Sequence, residues 1–204
     1  MEPDGTSPAS PAKLSIMGNL TAYGHSWVAG EAASHESRGF VAVAASDLGL
    51  TAMNLGVGGS SSVETADLLQ RTPPPASDLN VVMTGLNDAR RYGDSAEALV
   101  AYAMAMESIF AALGRATPAA RVIAVEQPPL LDYSLYPPHD RGSNDILVAY
   151  NDRLRSVASG IPYVVLATVP DWDAPMMLDA DTVHPNDLGH AALAAALVAV
   201  AEIG

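Results

Sequence analysis

Five short apolar runs separated by longer stretches of helical periodicity constrain this chain more than any other feature. The runs are Leu14 to Tyr23, Thr51 to Leu55, Asn80 to Thr84, Arg121 to Glu126 and Tyr163 to Leu166. Each is brief, and each is apolar enough to be buried on both faces, as strands of a parallel sheet are. Helices are expected between them, near Phe40 to Leu48, Val63 to Gln70, Ala96 to Leu113 and Ile146 to Ala158. In the third, Leu99, Tyr102, Met106, Ile109 or Phe110, and Leu113 recur at three- and four-residue steps, which places them on one helical face. Parallel neighbours need crossover connections, and right-handed crossovers cover both faces of a sheet. The expected fold class is α/β, a three-layer α/β/α arrangement around a five-stranded parallel sheet.

The chain has 204 residues, which predicts one domain burying roughly 70% of the surface its unfolded form would expose. Residues 1–12 are rich in Pro, Ser and Ala and lack both a basic start and an apolar core. They read as a disordered tail, neither signal peptide nor helix, ahead of a single domain over 13–204. The last apolar stretch, Leu188 to Ile203, is short of the ~20 residues that span a bilayer and reads as a buried helix, so no membrane anchor is expected. Ten basic against 23 acidic residues give a net charge of −13, which repels nucleic acid and anionic lipid at long range. No cysteine is present, which excludes disulfides, thiolate metal sites and a cysteine nucleophile. Composition leaves the compartment, cytoplasmic or secreted after signal removal, and the oligomeric state open.

Near the C-terminus, Asp181 precedes His184 by three residues in Asp181-Thr182-Val183-His184-Pro185. That spacing lets a carboxylate hold one imidazole nitrogen and leaves the other free to act as a general base. A nucleophile is then required, and Ser26 stands in Tyr23-Gly24-His25-Ser26-Trp27, where the first strand runs out. Gly58 and Gly59 follow the second strand, Asn87 follows the third, and the Asp181/His184 pair follows the fifth. All four positions therefore fall on the edge formed by the strand C-termini, where ligands bind in open α/β sheets.

Each residue also has a purely structural reading. Ser26 is a good N-cap, the glycines suit a tight turn of positive φ, Asn87 suits a turn, and His184 before Pro185 suits an exposed helix start. Asp181, His184, Asp187 and His190 match no tight zinc spacing, and His190 fits a helix face, so no metal is assigned. Neither Gly-x-Gly-x-x-Gly nor Gly-x-x-x-x-Gly-Lys follows the first strand, which argues against a nucleotide binder.

Four blocks in order, Gly24-His25-Ser26, Asn54-Leu55-Gly56-Val57-Gly58-Gly59, Gly85-Leu86-Asn87-Asp88 and Asp181-Thr182-Val183-His184-Pro185, make the chain resemble the SGNH (GDSL-like) hydrolase superfamily. At this composition Gly-x-Asn-Asp is roughly tenfold rarer by chance than Asp-x-x-His, so the third block carries most weight. The resemblance implies a flavodoxin-like sheet, ester or acyl-transfer chemistry and no cofactor. It also implies functional positions at Ser26, Gly59, Asn87 and His184, with Asp181 orienting the histidine. In these terms Ser26 and Gly59 backbone N–H groups and the Asn87 amide form an oxyanion hole. The family usually has Asp where this chain has His25.

The expected partner is a small-molecule ester of short-chain or carbohydrate type, because no long lid insertion is present. Trp27, Arg90, Tyr133, Trp172 and Met176 are candidates to frame the substrate, together with Tyr136 of the 127–145 loop, and Arg90 or Arg91 is placed to meet an anionic group. An acyltransferase would use the same residues with an alcohol acceptor. A non-catalytic binding module of this fold would differ most at Ser26 and His184, yet both are present.

Overall fold

The computed structural model describes residues 18–203. The expected tail and positions 14–17 of the first expected strand lie outside them. From Asn19–Gly24 (β1) the chain passes through the short helix Ser26–Ala29 (α1) to Phe40–Asp47 (α2) and Thr51–Gly56 (β2). Ser62–Arg71 (α3), Leu79–Met83 (β3), Leu86–Tyr92 (α4) and Ala96–Ala116 (α5) follow. The second half comprises Arg121–Val125 (β4), Asn144–Ala158 (α6), Val164–Ala167 (β5), Ala174–Met177 (α7) and Asp187–Glu202 (α8).

All five strands pair in parallel in the order β2-β1-β3-β4-β5. Helices α2 and α8 pack together on one face, and α3, α5 and α6 pack together on the other. The order reverses between β1 and β3, which opens a crevice beyond the carboxyl ends of those strands. Inner strands read as the sequence predicts. Val81, Val82 and Met83 of β3 are no more than 1% exposed, and burial of each contributes about 1.5–3 kcal/mol. The α5 stripe is equally clear, with Tyr102, Met106, Ile109, Phe110 and Leu113 all buried. By length and hydropathy α5 could also cross a membrane; here its apolar stripe packs into the core.

One expectation fails at the sheet margins. Thr51, Ala52, Met53 and Asn54 of β2 are exposed, and most of β5 is only half-buried. Both are edge strands, so each has a neighbouring strand on one side only. Short elements escaped the sequence reading as well. Helices α1 and α7 have four residues each and α4 has seven, too few turns to display a helical period.

Candidate active site

β1 ends at Gly24, whose φ is +147°. A Cβ there would lie 1.9 Å from the Met83 carbonyl oxygen, so the turn out of the strand requires glycine. His25 then caps α1, its Nδ1 accepting the Trp27 backbone N–H at 3.3 Å. Its Nε2 lies 2.9 Å from Gln127 Oε1 and donates to it. The ring is fully buried, and that burial pushes its pKa down to about 3, which keeps it neutral. An aspartate at this position would cap the same N–H with a carboxylate; here an uncharged imidazole does it. Ser26 follows as the first residue of α1.

The loop after α7 delivers the other side of the site. Asp181 Oδ1 accepts the backbone N–H groups of Val183 and His184, both at 2.9 Å, and Oδ2 lies 2.5 Å from His184 Nδ1. Burial raises the Asp181 pKa, but the hydrogen bonds from His184 and Val183 outweigh it and hold the carboxyl below its ordinary value. An ionised Asp181 fixes the proton of His184 on Nδ1 and leaves Nε2 as an acceptor, 3.0 Å from Ser26 Oγ. Trp27 ties the two parts together, its Nε1 donating to the Val183 carbonyl at 2.9 Å.

Donors face the same space. The N–H groups of Ser26 and Gly59 have no acceptor among the described residues. Gly59 adopts φ +74° with open space where a Cβ would stand, so backbone conformation and not crowding is the reason for glycine. Asn87 Nδ2 spends one hydrogen on the Ser60 carbonyl at 2.9 Å and keeps a second. Ser26, Gly59, Asn87, Asp181 and His184 thus line one open cleft of about 640 Å³.

Of the residues expected to frame a substrate, Arg90 and Tyr136 line this cleft, and Trp27, Tyr133, Trp172 and Met176 do not. Trp27 is fully buried and stacks on Trp172 at 5.5 Å between ring centroids. Trp172 Nε1 donates to the Pro129 carbonyl. The Tyr133 hydroxyl accepts from Leu130 N–H and donates to Asn144 Oδ1. Met176 lies exposed on α7. These aromatics brace the loops behind the histidine, because their polar tips find fixed backbone partners there. His190, weighed above as a metal ligand, is buried between the Phe40 N–H and the Glu31 carbonyl. Among the described residues no cluster of three acidic or histidine side chains is placed to hold a metal.

Besides Tyr136, three cleft or near-cleft residues, Glu31, His139 and Asp88, were given no role by the sequence reading. Glu31 Oε2 stands 3.2 Å from His184 Nε2, and Tyr136 donates to Asp181 Oδ2 at 3.3 Å. His139 forms part of the wall. Asp88 binds Ser62 behind the oxyanion donors. Of these three, Asp88 alone carried a signal, its place beside Asn87 in the rarest block.

The sequence profile described as the GDSL-like Lipase/Acylhydrolase family matches residues 22–192. No curated protein matches the chain by sequence. Solved structures of similar fold include a carbohydrate esterase family 2 enzyme from Corynascus thermopiles (Myceliophthora fergusii), at 17% identity and TM-score 0.72, covering 97% of this chain and 67% of that one. The salicylyl-acyltransferase SsfX3 of a tetracycline biosynthetic pathway is 18% identical with TM-score 0.73, covering 94% of this chain and 56% of that one. A member of the lipolytic G-D-S-L family from Veillonella parvula DSM 2008 is 16% identical with TM-score 0.63, covering 89% of this chain and 97% of that one. With the profile spanning every block from the first strand to the histidine loop, the chain belongs to the GDSL-like lipase/acylhydrolase family.

Proposed function

We propose that this protein is a serine esterase that hydrolyses small-molecule acyl esters, with Ser26 as nucleophile, His184 as general base and Asp181 as its orienting acid. The observation that carries this reading is the unbroken path from Ser26 Oγ to His184 Nε2 and from His184 Nδ1 to Asp181 Oδ2, open to the cleft. In the first step His184 takes the Ser26 proton as Oγ attacks the ester carbonyl, and the ionised Asp181 stabilises the imidazolium. The carbonyl oxygen becomes an oxyanion within reach of the Ser26 and Gly59 N–H groups and the second Asn87 hydrogen. Each such donor is worth roughly 10²–10³ in rate. The C–O bond to the leaving alcohol breaks as His184 returns the proton to it. Water, deprotonated by the same histidine, then attacks the acyl-enzyme and frees the acid and Ser26.

An open cleft favours short or accessible acyl groups over long chains, which need an enclosed apolar tunnel. A series of p-nitrophenyl esters from acetate to palmitate, run beside Ser26→Ala, tests the reading. Turnover is expected to be highest at the short end and absent in the variant. No turnover of any ester would sink it. Added alcohols in the same assay report whether the acyl group passes to water or to an acceptor.

A further inference from the structure

Arg90 is the anomaly of the cleft. It is 3% exposed, the most deeply buried arginine among the described residues, in a chain with 23 acidic groups for 10 basic ones. Yet no carboxylate pairs with it among the described residues, whereas Arg71, Arg91 and Arg155 all have one. Its Nη2 donates to the Leu135 carbonyl at 2.6 Å, and its buried Nε has no acceptor. A guanidinium keeps its charge at any physiological pH, so burying one without a counterion is costly unless an anion completes the site.

The surroundings are built for this side chain. Arg141 N–H binds the Arg90 carbonyl at 2.8 Å, folding the loop between β4 and α6 over the arginine. At Gly142 a Cβ would come within 2.5 Å of Tyr133 Cδ1 and 2.9 Å of Arg90 Cγ, so the loop packs this closely on the ring and the arginine stem only with glycine there. His139 lies on the same wall, and its buried Nε2 is also without a partner. Burial and the charges of Arg90 and Arg91 hold His139 below its ordinary pKa against a hydrogen bond to the Tyr136 backbone, and an anion bound beside it would relieve that charge repulsion. Arg90 follows Asn87 by three residues on α4, which puts the two on one helical face about 5–6 Å apart.

We propose that Arg90 and His139 form a carboxylate-binding subsite beside the oxyanion donors, so that the substrate is an ester bearing a carboxylate a few bonds from its reacting carbonyl. This rests on the esterase reading for its chemistry, though not for the binding itself. A carboxylate fits better than a phosphate dianion, because the net charge of −13 and the Glu31 and Asp181 carboxylates lining the same cleft penalise each added negative charge.

The test pairs esters of equal carbon count, one member of each pair bearing a carboxylate where the other has a methyl group. Monoethyl succinate against ethyl butyrate places the carboxylate on the acyl side, and O-acetylglycolate against ethyl acetate places it on the alcohol side. The protein is expected to favour the charged member of one pair at least tenfold in kcat/KM. In Arg90→Gln that ratio should fall at least tenfold, and Arg90→Lys, which keeps the charge without the fork, should retain part of it. In parallel, calorimetric titration of Ser26→Ala with monoethyl succinate and O-acetylglycolate should show binding that Arg90→Gln weakens at least tenfold. Hydrolysis of p-nitrophenyl acetate with no charged-ester preference and no such binding overturns the subsite and leaves the esterase reading standing. Arg90-dependent binding without turnover of any ester supports the subsite and sinks the esterase reading. If Arg90→Gln fails to fold, the wild-type preference and Arg90→Lys decide the matter.

Discussion

Asp88 grips Ser62 twice, its Oδ2 accepting the Ser62 backbone N–H at 2.8 Å and its Oδ1 accepting the Ser62 hydroxyl at 2.6 Å. Both residues are buried. Burial raises the pKa of Asp88, and the two bonds from Ser62 work against that rise. The pair fastens the start of α4 to the start of α3, and with it the Asn87 amide to the Gly58–Gly59 turn. Asp88→Ala should leave two buried donors without an acceptor, at about 1–3 kcal/mol for each. It should also lower kcat while Ser26 remains reactive toward a phosphonate. Urea unfolding and mass spectrometry check the two effects; a variant as stable as the wild type would show that the clamp carries no load.

Ser26→Ala should remove activity by several orders of magnitude, since catalytic residues that act as a unit lose nearly everything when the nucleophile goes. Its melting temperature should stay close to that of the wild type, because the deleted hydroxyl caps nothing: the N-cap of α1 is His25. An organophosphonate adding mass to Ser60 or Ser61 instead would reassign the nucleophile.

Asn87→Ala should depress kcat much more than it raises KM, because a donor aimed at a developing oxyanion binds the transition state better than the ground state. It also deprives the Ser60 carbonyl of its partner, so a stability loss of about 1 kcal/mol should accompany it. Unaltered kcat with that loss would make Asn87 a turn residue only.

Asp181→Asn keeps an oxygen for the Val183 and His184 N–H groups, so the loop should survive. The amide can no longer enforce a proton on His184 Nδ1, and kcat should fall by something on the order of 10⁴. Near-normal turnover would move the orienting role to another group.

His25 sets an acid limit on stability. Its folded value of about 3 lies below the ~6.5 of an unfolded imidazole, so the unfolded chain takes up a proton that the folded chain refuses. The stability it contributes is fully present above about pH 6.5 and is lost as pH falls from there toward 3, at up to about 1.4 kcal/mol per pH unit. His25→Asn keeps an N-cap acceptor and removes this titration. Urea midpoints from pH 7 to 4 should therefore fall less steeply in the variant; parallel slopes would contradict the assignment.

The layered sheet was legible because its inner strands are largely apolar runs and α5 carries a strong helical period, and the first three blocks were legible because each sits at or just after the end of a strand. Burial of β2 on both faces was misjudged because residues 51–55 look like any inner strand, and only the strand order puts them at an edge. Trp27 and Trp172 look like ligand-stacking residues in sequence. Their role depends on the Val183 and Pro129 carbonyls, which lie 156 and 43 residues away. Glu31 was invisible for the same reason. It meets His184 through the fold of the loop that follows the left-handed Gly30, and no spacing announces it.

Ser26 and His184 are 158 residues apart, and Asn87 comes from the start of α4, after the third strand, between them in sequence. Parallel strands cannot pair through tight hairpins, so no early local contact can bring any two of these residues together. During refolding, activity should therefore return only with the last cooperative phase, after helix content has recovered. The chemistry of this chain thus doubles as a reporter of its complete native state, silent in every partially docked intermediate.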